Sequence, residues 1–200
     1  MADTSKFRDR EFETGTNYVR MMGYVNSVFP DHVREHAREI LGDTEPGYQR
    51  YRYAAKLTQH VFEEIDYSEE TDLWRADFIL DNTGKGDCED QCTTLASLLT
   101  CRSFDARYVV VRKDGWDPGH IIVQVLFQDA DLQSLVDEAD DFYSRSLDKL
   151  VWEKGNDGYW LTCDPVTSPV VGTTESEYYT WDGEGRLVWY GDVLKDYLEF

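Results

Sequence analysis

Apolar residues recur at helical spacing through the first third of the chain. Residues 1–6 lack this pattern and read as a frayed end. Tyr18, Met21, Met22, Val25 and Phe29 predict a helix that Pro30 closes. Val33, Ala37, Ile40 and Leu41 predict a short second helix. It ends at Gly42, the residue type that most easily takes the left-handed conformation of a helix C-terminus. Pro46-Gly47 opens the longest helix, with Tyr51, Ala54, Ala55, Thr58, Phe62 and Ile65 on one face. Asp66 to Asp72 reads as an acidic loop. A second polar loop, Asp81-Asn82-Thr83-Gly84-Lys85-Gly86-Asp87, leads into a helix striped by Cys92, Leu95, Ala96, Leu98 and Leu99.

The period then changes to that of strands. Ala106 to Val111 predicts one strand, Gly119-His120 opens a second through Phe127, and Tyr159 to Cys163 gives a third. Between the last two lies an acidic stretch, Gln128 to Gly158. Within it, Leu132, Leu135, Val136, Ala139, Phe142, Tyr143, Leu147, Leu150 and Val151 keep helical spacing. This predicts an inserted helix, read as a surface elaboration or a lid beside the active site. Val166 to Glu177 is irregular. Tyr178 to Trp181 and Arg186 to Tyr190 flank Asp182-Gly183-Glu184-Gly185, a hairpin signal. The tail from Val193 to Phe200 reads either as a terminal helix or as a segment lying across the sheet. Neither repeats nor a low-complexity linker divide the chain, so a single α+β domain is expected over 1–200.

Composition narrows the class. The 200 residues are 41% hydrophobic and 14% aromatic, enough for a packed core. Forty acidic residues face twenty basic ones, a formal charge of −20, and lysine is scarcer than arginine. A patterned core inside so acidic a surface fits the salt-saturated cytoplasm of a halophile, with an ordinary acidic protein as the alternative. Duplex nucleic acid is an unfavourable partner, because no basic patch offsets phosphate. The start Met1-Ala2-Asp3-Thr4 is not followed by a hydrophobic leader, and no apolar run reaches membrane-spanning length. A soluble cytoplasmic protein is therefore expected, with a virion as the alternative place.

Candidate chemistry concentrates at Cys88. It stands at the mouth of the predicted helix, where the positive end of the macrodipole favours thiolate, the nucleophilic form. The competing reading is a small apolar residue that begins a core helix. Downstream, His120 starts a strand behind a glycine and Asp164 follows another strand. A thiol, an imidazole to take its proton and a carboxylate to orient the imidazole thus occur in order, each at the edge of an element.

The strings GDCED, ARYVVV, GHIIVQV and YWLTCDPV resemble the transglutaminase-like superfamily of papain-like cysteine enzymes, over roughly Gly47 to Gly172. The resemblance implies nucleophile Cys88, base Cys-partner His120 and orienting acid Asp164. It also implies that Trp74, in Asp72-Leu73-Trp74, helps stabilise the oxyanion with the Cys88 backbone N–H. Core packing is the other role open to Trp74. Many relatives carry His-x-Trp where this chain has His120-Ile121-Ile122, and the acidic insertion lengthens the path from His120 to Asp164. The implied organisation is an N-terminal helical extension at 1–45, a catalytic core at 46–172 with a helical insertion at 128–158, and a C-terminal hairpin and tail at 173–200. Helices and the nucleophile helix would pack on an antiparallel sheet.

Other motifs carry less. His32-Val33-Arg34-Glu35-His36 matches the H-x-x-E-H pattern of inverted zinc peptidases, but the sequence offers no third ligand. His60 reads as a surface or boundary histidine on the long helix. Lys85 lacks the upstream glycine of a phosphate loop. The four cysteines do not form a disulfide framework or a zinc set. If Cys88 and Cys163 both line the site they would allow an inhibitory disulfide, whereas free buried thiols are the simpler reading. No cofactor and no metal are implied. The expected function is acyl transfer on a peptide or protein amide through a Cys88 thioester, with hydrolysis favoured. The alternatives are transfer to an amine, as in a transglutaminase, or a non-catalytic scaffold in a larger assembly such as a halophile virus's virion or tail.

Charge alone generates a first prediction. The Debye length grows from about 10 Å at 0.1 M salt to about 30 Å at 0.01 M. Carboxylate repulsion then acts across the whole surface, so the melting midpoint should fall as salt is removed. A midpoint independent of salt in a calorimetric series would contradict the halophile reading.

Overall fold

An antiparallel sheet and the helices laid on it carry the hydrophobic core. The computed structural model describes residues 31–42, 49–69, 73–113, 120–147 and 150–173, with the backbone of three further strands at 179–181, 187–189 and 193–199. The helix expected over Tyr18 to Phe29, the Pro46-Gly47 helix opening and the turn Asp182 to Gly185 lie outside these residues.

Helices come first. Helix α1 (Asp31–Leu41) buries Val33, Ala37 and Leu41, and Gly42 follows at φ +80°. Helix α2 (Arg50–Glu64) buries Tyr51, Ala54, Ala55, Leu57, Thr58 and Val61. Phe62, expected on that face, is instead 39% exposed. Leu57 and Val61 take the inward positions, which rotates the buried face away from it. The segment expected as an acidic loop starts with β1 (Asp66–Tyr67), which pairs in parallel with β2 (Lys85–Gly86). Between them, α3 (Ala76–Phe78) runs into a π-helical turn, Ile79–Thr83. Asp81 to Thr83, the start of the predicted 81–87 loop, are therefore helical. Gly84, left-handed at φ +57°, ends the turn through its N–H to the Ile79 carbonyl at 3.0 Å.

Helix α4 (Cys88–Thr100) is buried around its whole circumference from Asp90 to Leu99. It is not amphipathic, because α1 and α2 cover it on one side and the sheet on the other. Its small polar residues fit that position by bonding back to their own helix. Ser97 donates to the Thr93 carbonyl at 2.8 Å and Thr100 to that of Ala96 at 2.6 Å. Each fully buried leucine here contributes about 1.5–3 kcal/mol of transfer free energy.

The sheet is built from β3 (Ala106–Lys113), β4 (His120–Gln128), β5 (Trp152–Lys154), β6 (Gly158–Cys163) and, after a separate hairpin of β7 (Tyr179–Trp181) and β8 (Leu187–Trp189), β9 (Val193–Glu199). Strand order is β5-β6-β4-β3-β9. The tail is thus an edge strand, with Lys195 opposite Val111. Helix α5 (Leu132–Tyr143) supplies the predicted inserted helix, but it stops at Ser144, left-handed at φ 51°. Leu147, Leu150 and Val151 lie beyond it and are buried all the same. The insertion also contributes β5, which the helical spacing did not announce. Its Glu153 accepts a bond from Arg107 of β3 at 2.8 Å, so the insertion is built into the sheet. Helix α5 packs on α2, where Arg52 pairs with Asp141. The Tyr143 hydroxyl donates to the Pro169 carbonyl at 3.2 Å and accepts from the Val171 N–H at 3.1 Å. The insertion thereby buttresses the loop that follows Asp164.

Gly86 marks a tight place at the entrance to α4. A Cβ there would stand 3.0 Å from Asp90 Oδ2 and closer still to Asp90 Cβ. Gly86→Ala should therefore cost about 1–3 kcal/mol, the range for forcing an extra carbon into a packed site. Urea unfolding measures it, and an unchanged midpoint would show that the neck into α4 is looser than described.

Candidate active site

Cys88 is the first residue of α4, and the cap in front of it is complete. The Asp87 carboxylate accepts from the N–H groups of Glu89 at 2.8 Å and Asp90 at 3.2 Å. In return, Asp90 accepts from the Asp87 N–H at 3.3 Å, the reciprocal pattern of a capping box. The Cys88 N–H belongs to the first helical turn, whose amides have no intrahelical acceptor and point out of the positive end.

Asp90 also reaches a second segment. Its other oxygen accepts the Trp74 backbone N–H at 2.8 Å, and Asp90 itself is buried. The half-buried Trp74 is thereby fastened beside the start of α4, and its indole stacks on Phe78 with centroids 4.8 Å apart. Tyr67, opposite Gly86 in the β1–β2 pair and more than half exposed, stands near Cys88 and Asp87.

His120 arrives on the first residue of β4, facing Val111 of β3. Asp164 follows the last residue of β6, and β6 pairs with β4 through Val123 and Cys163. The turn after it is closed by the Thr167 and Ser168 N–H groups, which donate to the Asp164 carbonyl at 3.1 and 2.9 Å. His120 Nε2 lies 3.2 and 3.1 Å from the two carboxylate oxygens of Asp164. The Cys88 side chain stands near the same imidazole, close enough to favour its charge. Cys88, His120 and Asp164, separate in the sequence, are brought together.

Burial sets the electrostatics. The Asp164 side chain is fully buried and that of His120 is 13% exposed. Burial disfavours charge on His120, but the Asp164 charge and hydrogen bond, with a smaller part from Cys88, outweigh it and push the imidazole up to about 10. Burial likewise works against ionisation of Asp164, and the His120 charge and hydrogen bond overcome it and hold the carboxyl below its usual range. The other thiols differ. Burial pushes Cys101 up to about 11 and Cys163 up to about 12, and raises Cys92 strongly. All four cysteines are free thiols.

Two residues that position the site were not read from the sequence as such. Asp90 joins the cap to Trp74, and the Asp87-x-x-Asp90 spacing of a capping box was the available signal. Cys92, read only as part of an apolar stripe, donates its thiol to the Ile121 carbonyl at 3.2 Å, tying α4 to β4 beside His120. No local pattern marks that bond, because its partner is a backbone atom far along the chain.

The ion pair has a pH signature. The imidazole is raised above its ordinary 6.5, so its stabilisation is complete below that value and is lost as pH climbs towards 10. The carboxyl is lowered, so its share is present above its ordinary 3.8 and is lost in acid. The stability difference between wild type and His120→Gln/Asp164→Asn should therefore shrink between pH 7 and 10, by at least the roughly 1.4 kcal/mol of one pKa unit. Urea midpoints across that range decide it, and a constant difference would mean that the pair does not titrate as described.

Among the described residues no helix is long and apolar enough to cross a membrane. No curated protein matches the sequence. Of solved structures, one matching chain is described as a candidate cysteine protease from Cytophaga hutchinsonii, at 14% identity and a TM-score of 0.43. The alignment covers 90% of this chain and 55% of that one, so this chain spans little more than half of that protein's length. The family model of the transglutaminase-like superfamily matches residues 34–165, well over half of the chain and a span that contains Cys88, His120 and Asp164. On that match the chain belongs to the transglutaminase-like superfamily.

Proposed function

We propose that this protein cleaves amide bonds of peptides or proteins through a covalent thioester on Cys88. The observation that carries the reading is one imidazole bonded to the buried Asp164 carboxylate with the Cys88 side chain near it. In this reading the Cys88 proton already resides on His120 at neutral pH, and the thiolate beside the imidazolium attacks the substrate carbonyl carbon. The oxyanion of the tetrahedral adduct accepts hydrogen bonds from the Cys88 N–H and from Trp74, which Asp90 holds beside the helix start. His120 gives its proton to the leaving amine, the carbon–nitrogen bond breaks, and a thioester remains. Water then loses a proton to His120, attacks the thioester and releases the carboxylate, and the thiolate is restored. Asp164 stays ionised throughout and keeps the ring oriented. The charge of −20 fits work in concentrated salt, where that charge is screened.

Two measurements test this. Iodoacetamide near neutral pH should label Cys88 before Cys92, Cys101 or Cys163, because burial raises each of the other three. In a peptide-library screen with a fluorescent amine as second acceptor, Cys88→Ala and His120→Ala should be inactive, and Asp164→Ala should keep a trace. Cys88→Ala should stay within about 0.5 kcal/mol of wild type in stability, as a partly exposed site permits. Amine incorporation without hydrolysis would move the reading to a transglutaminase. Equal labelling of all four thiols, together with an inert wild type and an unfolded Cys88→Ala, would favour a scaffold.

A further inference from the structure

Of the four histidines in the chain, His120 alone is in the site just described. The other three gather on one patch. His32 and His36 lie one turn apart on α1, and His60 of α2 is within electrostatic reach of His36. Asp81, midway through the π-helical turn, enters from a distant part of the chain. Its Oδ2 is 3.2 Å from His32 Nδ1 and its Oδ1 is 2.8 Å from His36 Nε2. The other nitrogen of His36 faces Glu39 Oε2 at 3.8 Å. The H-x-x-E-H spacing lacked a third ligand, and the fold brings one to it.

We propose that His32, His36 and Asp81 form a surface site for a divalent transition metal of the zinc class, with water completing the coordination. Two imidazoles and a carboxylate suit such an ion better than calcium or magnesium, which prefer all-oxygen sets. Histidines at i and i+4 share a helix face, the geometry that lets both reach one ion. Glu39 would orient the His36 ring from behind, as carboxylates commonly do for ligating histidines. As the side chains stand, no three such donors among the described residues already surround one point. The two imidazoles hold opposite oxygens of the carboxylate and share protons with it. Ligands on one tetrahedral zinc at about 2.0–2.1 Å stand roughly 3.3 Å apart; the His32 nitrogen is already 3.2 Å from one Asp81 oxygen, while that of His36 is 2.8 Å from the other and would have to draw back. Convergence of the two rings then needs rotation of His32, whose side chain is 66% exposed and has room to turn. An ion there would tie α1 to the turn that leads through β2 into Cys88.

The test uses the full chain carrying Cys88→Ser, since the thiol of the other site could itself hold zinc. Metal-stripped protein is titrated with Co2+ and with Zn2+ in excess Mg2+, which occupies loose carboxylate sites. One equivalent should bind, the Co2+ spectrum should lack a thiolate charge-transfer band, and Zn2+ should raise the melting midpoint. His32→Ala and Asp81→Asn should each weaken binding at least tenfold, with the metal-free midpoint of His32→Ala unchanged. Absence of saturable binding in Mg2+, or binding undiminished in both variants, would overturn the site.

Discussion

Helix α4 has to satisfy two demands at once. From Asp90 to Leu99 it is enclosed by α1, α2 and the sheet, yet its first residue, Cys88, stays partly exposed. The two carboxylates at its start reconcile these demands. Asp87 closes the helix end, and Asp90 accepts from both the cap and the Trp74 segment, so a buried charge is surrounded by backbone donors instead of being stranded. Gly86 has no side chain because Asp90 fills the space where one would go. Farther down, the Cys92 bond to the Ile121 carbonyl fixes the helix against β4 at the level of His120. Placement of the thiol relative to the imidazole follows from these few contacts and from the register of the sheet.

Much of this was legible in the sequence because the signals were local. Period-2 runs marked β3, β4 and β6, and the cysteine at a helix mouth, the histidine opening a strand and the aspartate after another marked Cys88, His120 and Asp164. What escaped depended on partners far away in the chain. Phe62 carried the right helical phase, but Leu57 and Val61 took the buried positions. β5 is three residues long and gains its place only by pairing with β6 and by the Glu153–Arg107 bond. The tail left helix and sheet both open, and the exposed edge of β3 decided between them. The turn at Ile79–Thr83 was read as loop because Asp, Asn and Gly are loop residues. Its π-helical form is set by the Gly84 cap and the short bridge behind it.

That turn links the two clusters of chemistry in the molecule. On one side it presents Asp81 to the histidines of α1, and on the other it feeds β2 and the Asp87 cap. The insertion acts similarly from the opposite end, since α5 grips the loop after Asp164 through Tyr143 while β5 joins the sheet. Cys88 and Asp164 are therefore held by elements that extend well beyond the site, and His120 pairs with Asp164 between them. Such a pair stabilises the fold only while both partners are present, because a lone buried charge is costly.

The central claim is that buried Asp164 keeps His120 protonated beside Cys88. Following the His120 ring resonances by NMR in wild type from pH 5 to 10.5 tests it most directly. The account predicts an imidazolium that persists well above pH 8 with Nε2 bonded to the carboxylate, and a large downward shift of its titration in Asp164→Asn. Titration of the wild-type ring near its ordinary value of 6.5, unaffected by Asp164→Asn, would contradict it.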